Sequence, residues 1–477
     1  MEVENAVRTE SQKAKEAFAT LKKRYSQEGP SSIAGRKKAL KKLLGWVMAN
    51  RGRIKEAVHR DFQKPAVEVD ISEVYPVVGE IKHALNNLGQ WTRPVKVEAT
   101  ISYLGTRSEI RYEPKGVCLV LSPWNFPFNL SVGPLVSCLA AGNVAVLKPS
   151  EMTPHTSQLI ADMVEEVFDG EVVVLQGGEE VATGLLSLPF DHIFFTGSPR
   201  VGKIVMRAAA DHLASVTLEL GGKSPAIVHS SARINEAAKR IAFGKFLNNG
   251  QTCIAPDYLL VHESVKDDLI AALILQTKKM FGDGTDISPH SPSYGRIVNG
   301  HHFDRLREMV EEAVAHGAKV ELSGDRDPAT RFFYPVILSG ALAGTRVMEE
   351  EIFGPVLPIV TFKHEAEAIE MVNAKPKPLA LYVFGANKKF WENVLCHTSA
   401  GTACINDCVL QFTHPNLPFG GANNSGIGKS HGYFGFLAFS NEKAVLRQKR
   451  GFALSYLFYP PFTKRMKMLL EPIIKWF

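Results

Sequence analysis

Apolar residues recur at helical spacing in three stretches before residue 94. Ala14, Phe18, Leu21 and Tyr25 predict a helix over 11–28. Leu40, Leu43, Leu44, Val47 and Met48 form the stripe of a second, over about 32–62, and a third runs from about Ile71 to Trp91 and stops at Arg93-Pro94. The period then changes to two. Val95, Val97, Ala99, Ile101 and Tyr103 alternate with Lys96, Glu98, Thr100 and Ser102; with Gly105, Ile110 and Tyr112 behind them, they predict a half-buried strand in a hairpin. From Gly116 short apolar runs alternate with helical patterns. Strands are expected at 117–121, 144–147, 172–175 and 193–195, with a helix from Ile204 to about His212. Such alternation implies a parallel, doubly wound sheet. Ligands of such sheets bind outside the carboxyl ends of the strands, which here carry the 122–128 loop and Lys148-Pro149-Ser150-Glu151.

Glu219 follows a strand at 215–218, and Gly221-Gly222 offers a pivot. A second α/β series begins there: strand 226–228, helix 234–247, strand 258–261, helix 266–280 and strand 320–322. The chain therefore divides into a first unit (1–94 and 116–221), a second (222–400), a β arm with a loop-rich segment (95–115 and 401–450) and a tail (451–477).

Composition narrows the class. The 477 residues are 45% hydrophobic and 22% charged, as in soluble globular proteins, and the net charge is only +6. No Lys/Arg block alternates with aromatics, which argues against nucleic-acid binding, and the basic side of the second helix is read as a solvated face. Six cysteines without a CxxC pair suggest neither a disulfide framework nor a zinc site, and no metal constellation is seen. Reduced thiols fit a cytoplasmic protein. Residues 1–12 are polar, so no signal peptide is expected, and no run reaches the roughly 18 apolar residues of a spanning helix.

Two stretches could carry chemistry. Thr196–Lys203 resembles a phosphate turn, although Gly197 and Gly202 are too far apart for GxGxxG, and Ile204 replaces the hydroxyl a P-loop needs. Asn249-Gly250-Gln251-Thr252-Cys253 puts a cysteine at a loop tip, with Glu219 as an upstream carboxylate.

Six motifs then occur in a family's order: Pro-Trp-Asn-Phe-Pro (123–127), Leu-Lys-Pro-Ser-Glu (147–151), Phe-Thr-Gly-Ser (195–198), Glu-Leu-Gly-Gly-Lys-Ser-Pro (219–225), Gly-Gln-Thr-Cys (250–253) and Glu-Ile-Phe-Gly-Pro-Val (351–356). The chain resembles an aldehyde dehydrogenase over nearly its whole length. The stretches 194–206, 250–258 and 377–382 are similar to the class 3 branch, which includes fatty and aromatic aldehyde enzymes. The resemblance implies a Rossmann-like NAD-binding domain (the first unit), an α/β catalytic domain (the second) and a small β bridging arm that makes a homodimer.

It also implies roles. A thiolate adds to an aldehyde carbonyl, and the resulting oxyanion expels hydride to a nicotinamide, leaving a thioester. Cys253 is the expected nucleophile. Asn125 and the Cys253 N–H form the expected oxyanion hole. Glu219 is the expected base for water, helped by a raised pKa, with Glu351 in reserve. The cofactor set is Trp124, Lys148, Ser150, Glu151, Gly197, Ser198, Val201, Gly202, Leu220, Gly221, Glu351 and Phe353. Glu151 should accept the adenosine ribose hydroxyls and so favour NAD, with NADP admitted.

The expected reaction is oxidation of apolar aldehydes to carboxylic acids. A coenzyme A-acylating enzyme is the alternative, opposed by Glu219, which that route does not need. A cysteine hydrolase using His414 and a non-catalytic role are weaker readings. The tail combines Phe452, Leu454, Tyr456, Tyr459 and Phe462 with a basic amphipathic stretch from Lys464. It is read three ways: a cover over the substrate entrance, a peripheral membrane contact, or dimer and core packing.

Overall fold

A computed structural model describes residues 2–98, 103, 105–340, 342–451, 456 and 459–476. The 32–62 pattern is two helices, Ile33–Ala49 and Arg51–Phe62, broken at Asn50, whose side-chain amide turns back onto the Trp46 carbonyl. The third begins earlier than its stripe suggests. Ala66–Val69 runs through a π turn, Asp70–Val74, into Tyr75–Trp91.

The hairpin pairs as expected, with Val95 opposite Ile110, and Thr106–Pro114 pairs along its length with Ser440–Gln448. The half-buried expectation fails. Val95 and Val97 are 44% and 45% exposed, with no second layer among the described residues over that strand. The predicted alternation over 99–102 lies outside the described residues.

The sheet of the first unit has six strands in the order Gly426–Ile427, Ser215–Leu220, His192–Gly197, Val117–Leu121, Val144–Lys148 and Val172–Val174, the first of them supplied by the 401–450 segment. All pairings are parallel except that of Gly426–Ile427. Both faces are covered, as a parallel sheet requires. Leu40, Leu43, Ile81 and Leu135 pack among one core cluster, and Ala14, Phe18, Leu21, Leu185 and Val205 among another.

The second sheet runs Ala318–Leu322, Val336–Gly340, Val356–Phe362, Tyr258–His262, Pro225–Val228, Ala380–Phe384 and Thr402–Ile405. Its last strand comes from beyond the boundary placed near 400.

Two local readings change. Glu219 does not follow its strand but sits in it, opposite Thr196 and Gly426. The helix after Gly197 starts at Pro199, not Ile204, because Ser198 caps it by accepting the Val201 N–H. Val201 and Gly202 thus lie in a helical turn rather than an open loop.

Candidate active site

The helix Ile234–Phe246 ends in a tight turn, Leu247–Gly250. Asn248, Asn249 and Gly250 all have positive φ (52°, 54° and 71°). Asparagine tolerates this region best after glycine. Gly250 is obligatory, since a Cβ there would lie 2.3 Å from the Gly354 carbonyl oxygen. Gln251 locks the loop: its amide donates to the Asn248 and Arg296 carbonyls (both 3.0 Å), and its side-chain oxygen accepts the Val298 N–H. Cys253 emerges from this scaffold partly exposed.

Cys253, Glu219 and Thr196 form a wall shared by two cavities. One is apolar, with Leu130, Pro134, Phe194, Phe412 and Phe419 among its lining. The other brings together Trp124, Asn125, Gly197, Ser198, Leu220, Gly221, Glu351 and Phe353 from the sequence-derived set. Lys148, Ser150, Glu151, Val201 and Gly202 stand outside that lining. Lys148 Nζ reaches Glu151 Oε2 at 3.0 Å, and Glu151 remains 48% exposed. The Ser150 hydroxyl oxygen accepts the Met152 N–H. Gly202 packs its bare Cα toward Leu220.

The Asn125 amide donates to the Gln251 carbonyl at 3.1 Å. One of its two hydrogens is thereby anchored. Glu219 Oε1 accepts the Ser430 hydroxyl at 2.8 Å, while Oε2 is buried without a partner among the described residues. Burial pushes the Glu219 carboxyl up to about 7, against the Ser430 bond and the charges of His431 and Lys429. His431 bonds Glu80 at 2.7 Å, and that bond and charge raise the imidazole despite the desolvation that opposes them.

Glu351 packs against Gly221, where a Cβ would lie 2.2 Å from its carboxylate, and it accepts the Gly222 N–H. Burial and then Asp257 push it up to about 8. The same burial, followed by Glu351 and Glu219, pushes the Cys253 thiol up to about 12, opposed by the N–H groups of Cys253 and Ile254. The site therefore holds a thiol next to two carboxyls, and burial favours the protonated form of all three.

The second cavity suits a dinucleotide. Trp124 and Phe353 meet edge to face with ring centroids 5.2 Å apart. Gly197 has no room for a side chain, since a Cβ would lie 2.4 Å from the Phe195 ring. His302 Nδ1 is buried and unpartnered among the described residues. Arg305 brings a cation to the same wall. Sequence reasoning missed His302, Arg305, Ser430 and His431. The first two share only an i, i+3 spacing on the helix Gly300–Ala315, and the others sit in a loop whose carboxylate partners lie over 200 residues away.

Comparison with known proteins agrees with this geometry. A family model described as "Aldehyde dehydrogenase family" matches residues 2–445. A 4,4'-diaponeurosporen-aldehyde dehydrogenase of Staphylococcus aureus is 40% identical over 453 residues, covering 95% of this chain and 97% of its own. Aldehyde dehydrogenase family 3 member B3 of Mus musculus is 40% identical over 462 residues, covering 96% of this chain and 93% of its own. A structure described as the substrate-bound state of Staphylococcus aureus AldH superposes with a TM-score of 0.91 at 40% identity, covering 96% of this chain and 98% of that one.

Proposed function

The chain belongs to the aldehyde dehydrogenase family, enzymes that oxidise aldehydes with NAD(P), and on that premise we propose that it acts on apolar aldehydes through a cysteine-bound thioester. The observation that carries this reading is the shared wall: Cys253 and Glu219 stand between an apolar cavity and one suited to a dinucleotide. Relatives named for family 3 and for a carotenoid-derived aldehyde support the apolar preference.

In this reading Cys253 Sγ adds to the carbonyl carbon. Its proton passes to Glu219, whose carboxyl stands near 7 and whose Oε2 has no partner among the described residues. The free amide hydrogen of Asn125 receives the oxyanion; one such donor contributes roughly 3–4 kcal/mol to the transition state. NAD(P), held by Trp124, Gly197, Ser198, Gly221, Glu351 and Phe353 with His302 and Arg305, supplies the hydride acceptor when bound. Glu219 releases its first proton to solvent and takes a second from the water that attacks the thioester, using the unpartnered Oε2. The acid departs and Cys253 is regenerated. That free Oε2 beside the thiol favours water over coenzyme A as the acyl acceptor.

We also read the first unit as the NAD-binding domain, the second as catalytic, and the arm as the seat of a homodimer, where exposed Val95, Val97 and Leu446 would be covered. A cytoplasmic location fits, and no helix among the described residues is long and apolar enough to cross a membrane.

A ladder of aldehydes from short aliphatic to long-chain and aromatic, followed by cofactor absorbance with NAD and NADP, tests substrate and cofactor together. Activity should rise with chain length and NAD should be preferred. Glu151→Gln removes the charge that repels a 2′-phosphate and should raise the NADP-to-NAD ratio of kcat/KM about tenfold. A flat ladder would overturn the apolar reading, and an unchanged ratio the role of Glu151.

In the tail, the helix Lys464–Trp476 leaves Met468, Leu469 and Ile474 exposed beside Lys464, Arg465, Lys467 and Lys475. Of the three readings this favours a membrane surface. The full chain should co-sediment with anionic phosphatidylserine vesicles and lose that binding when 464–477 is removed; equal binding by both would exclude the helix as the anchor.

A further inference from the structure

The π turn at Asp70–Val74 sorts buried charges. In an uninterrupted α-helix two residues five apart point about 140° from each other. A turn closed by i→i+5 bonds brings them toward one face, and such turns cluster at functional sites. Here the pair is Glu68 and Glu73, both buried, and Lys64 joins them from just before the helix.

Their contacts all lead to the site. Lys64 Nζ donates to Glu73 Oε1 at 3.0 Å and to the Asn125 carbonyl at 3.4 Å. Glu73 Oε2 accepts the Asn129 N–H at 2.9 Å, and Asn129 donates its amide to the Ser72 carbonyl in the π turn. Glu68 Oε1 accepts the Asn248 N–H at 2.8 Å. The Asn248 amide closes the circuit onto the Asn125 and Gln251 carbonyls, at 2.8 and 3.1 Å. The loop bearing Asn125 and the turn leading to Cys253 thus hang from one helical segment.

Stability does not explain such a cluster. Three ionisable groups are expensive to bury, and apolar replacements are often neutral or better. Burial pushes Glu68 up to about 7 even with Lys64 beside it. We propose that Lys64, Glu68 and Glu73 are positioning residues for the oxyanion. The π turn presents them as one clamp that fixes the Asn125 loop against the Asn248–Gln251 segment, so that the spare Asn125 hydrogen and the Cys253 sulfur address the same carbonyl. This rests on the oxyanion role of Asn125 proposed above. A displacement of about 1 Å can cost up to about 100-fold in rate, so a clamp can be worth as much as a direct donor.

The test is a double-mutant cycle on the full chain. Lys64→Met with Glu73→Gln removes both charges together and keeps an acceptor for Asn129; Glu68→Gln is the milder companion should the pair fail to fold. Each is made with Asn125 intact and with Asn125→Ala. The pair should lower kcat about 10–100-fold, and Glu68→Gln about 3–10-fold, with aldehyde KM and NAD affinity within about twofold. In the Asn125→Ala background the same changes should cost less than about threefold. Equal fold-losses in both backgrounds, or an undiminished kcat, would overturn the clamp. If Asn125→Ala alone leaves kcat intact, the oxyanion assignment itself fails, and that outcome is read separately from the cycle.

Discussion

Replacing Cys253 by alanine should abolish aldehyde oxidation, with turnover at least about 10⁴-fold lower and the fold intact. In the proposed mechanism the sulfur makes the bond from which the thioester grows, and no other thiol is placed to substitute. Cys118, Cys138 and Cys408 are buried in apolar clusters, Cys396 is exposed on a helix far along the chain, and Cys404 packs at the edge of the second core. Loss of a nucleophile in a cooperating set removes nearly the whole chemical advantage. Because Gln251 and the positive-φ turn hold the loop without using the sulfur, the melting temperature should move little. Cofactor absorbance for wild type and variant under the same conditions decides the matter. Comparable turnover in the two would remove Cys253 from the mechanism.

Glu219→Gln should slow both halves of the reaction, since the carboxylate takes the thiol proton and then the water proton. Glutamine can still accept the Ser430 hydroxyl, so the geometry is kept while the base is lost. Rapid mixing should show reduced cofactor appearing more slowly than in the wild type, and steady turnover reduced roughly 10²–10³-fold as the thioester waits for unassisted water. The pH profile carries the sign. A base with a pKa near 7 works when ionised, so wild-type hydrolysis should fall as pH drops through about 7 and level off above it. In the variant that limb should disappear. A limb surviving near pH 8 would instead transfer the role to Glu351.

Much of this was legible in the chain because it is local. Period-two and short apolar runs marked the strands of both sheets, and Cys253 and Glu219 were found through their own neighbours. What escaped depends on partners distant in sequence. Nothing near Ser430 announces Glu219, and nothing near His302 announces Trp124. The π turn escaped for a different reason: a hydrophobic stripe records which side faces the core, but one extra residue in a turn shifts the stripe too little to register. The capping hydroxyl of Ser198 was written in the sequence but was read as part of a phosphate turn ahead of a helix from Ile204. The exposed arm shows the opposite failure, since alternation implied a buried side that one chain does not provide.

Among the described residues, only Thr196, Glu219 and Cys253 belong to both cavities. On the proposed reading everything else on either side, Asn125 apart, answers to one visitor. Taste in aldehydes and taste in cofactors are therefore separable inheritances: Leu130 or Phe412 can drift under one pressure and Glu151 or His302 under another. A lineage on this scaffold can change its diet without renegotiating its currency, so long as those three residues and Asn125 stay put.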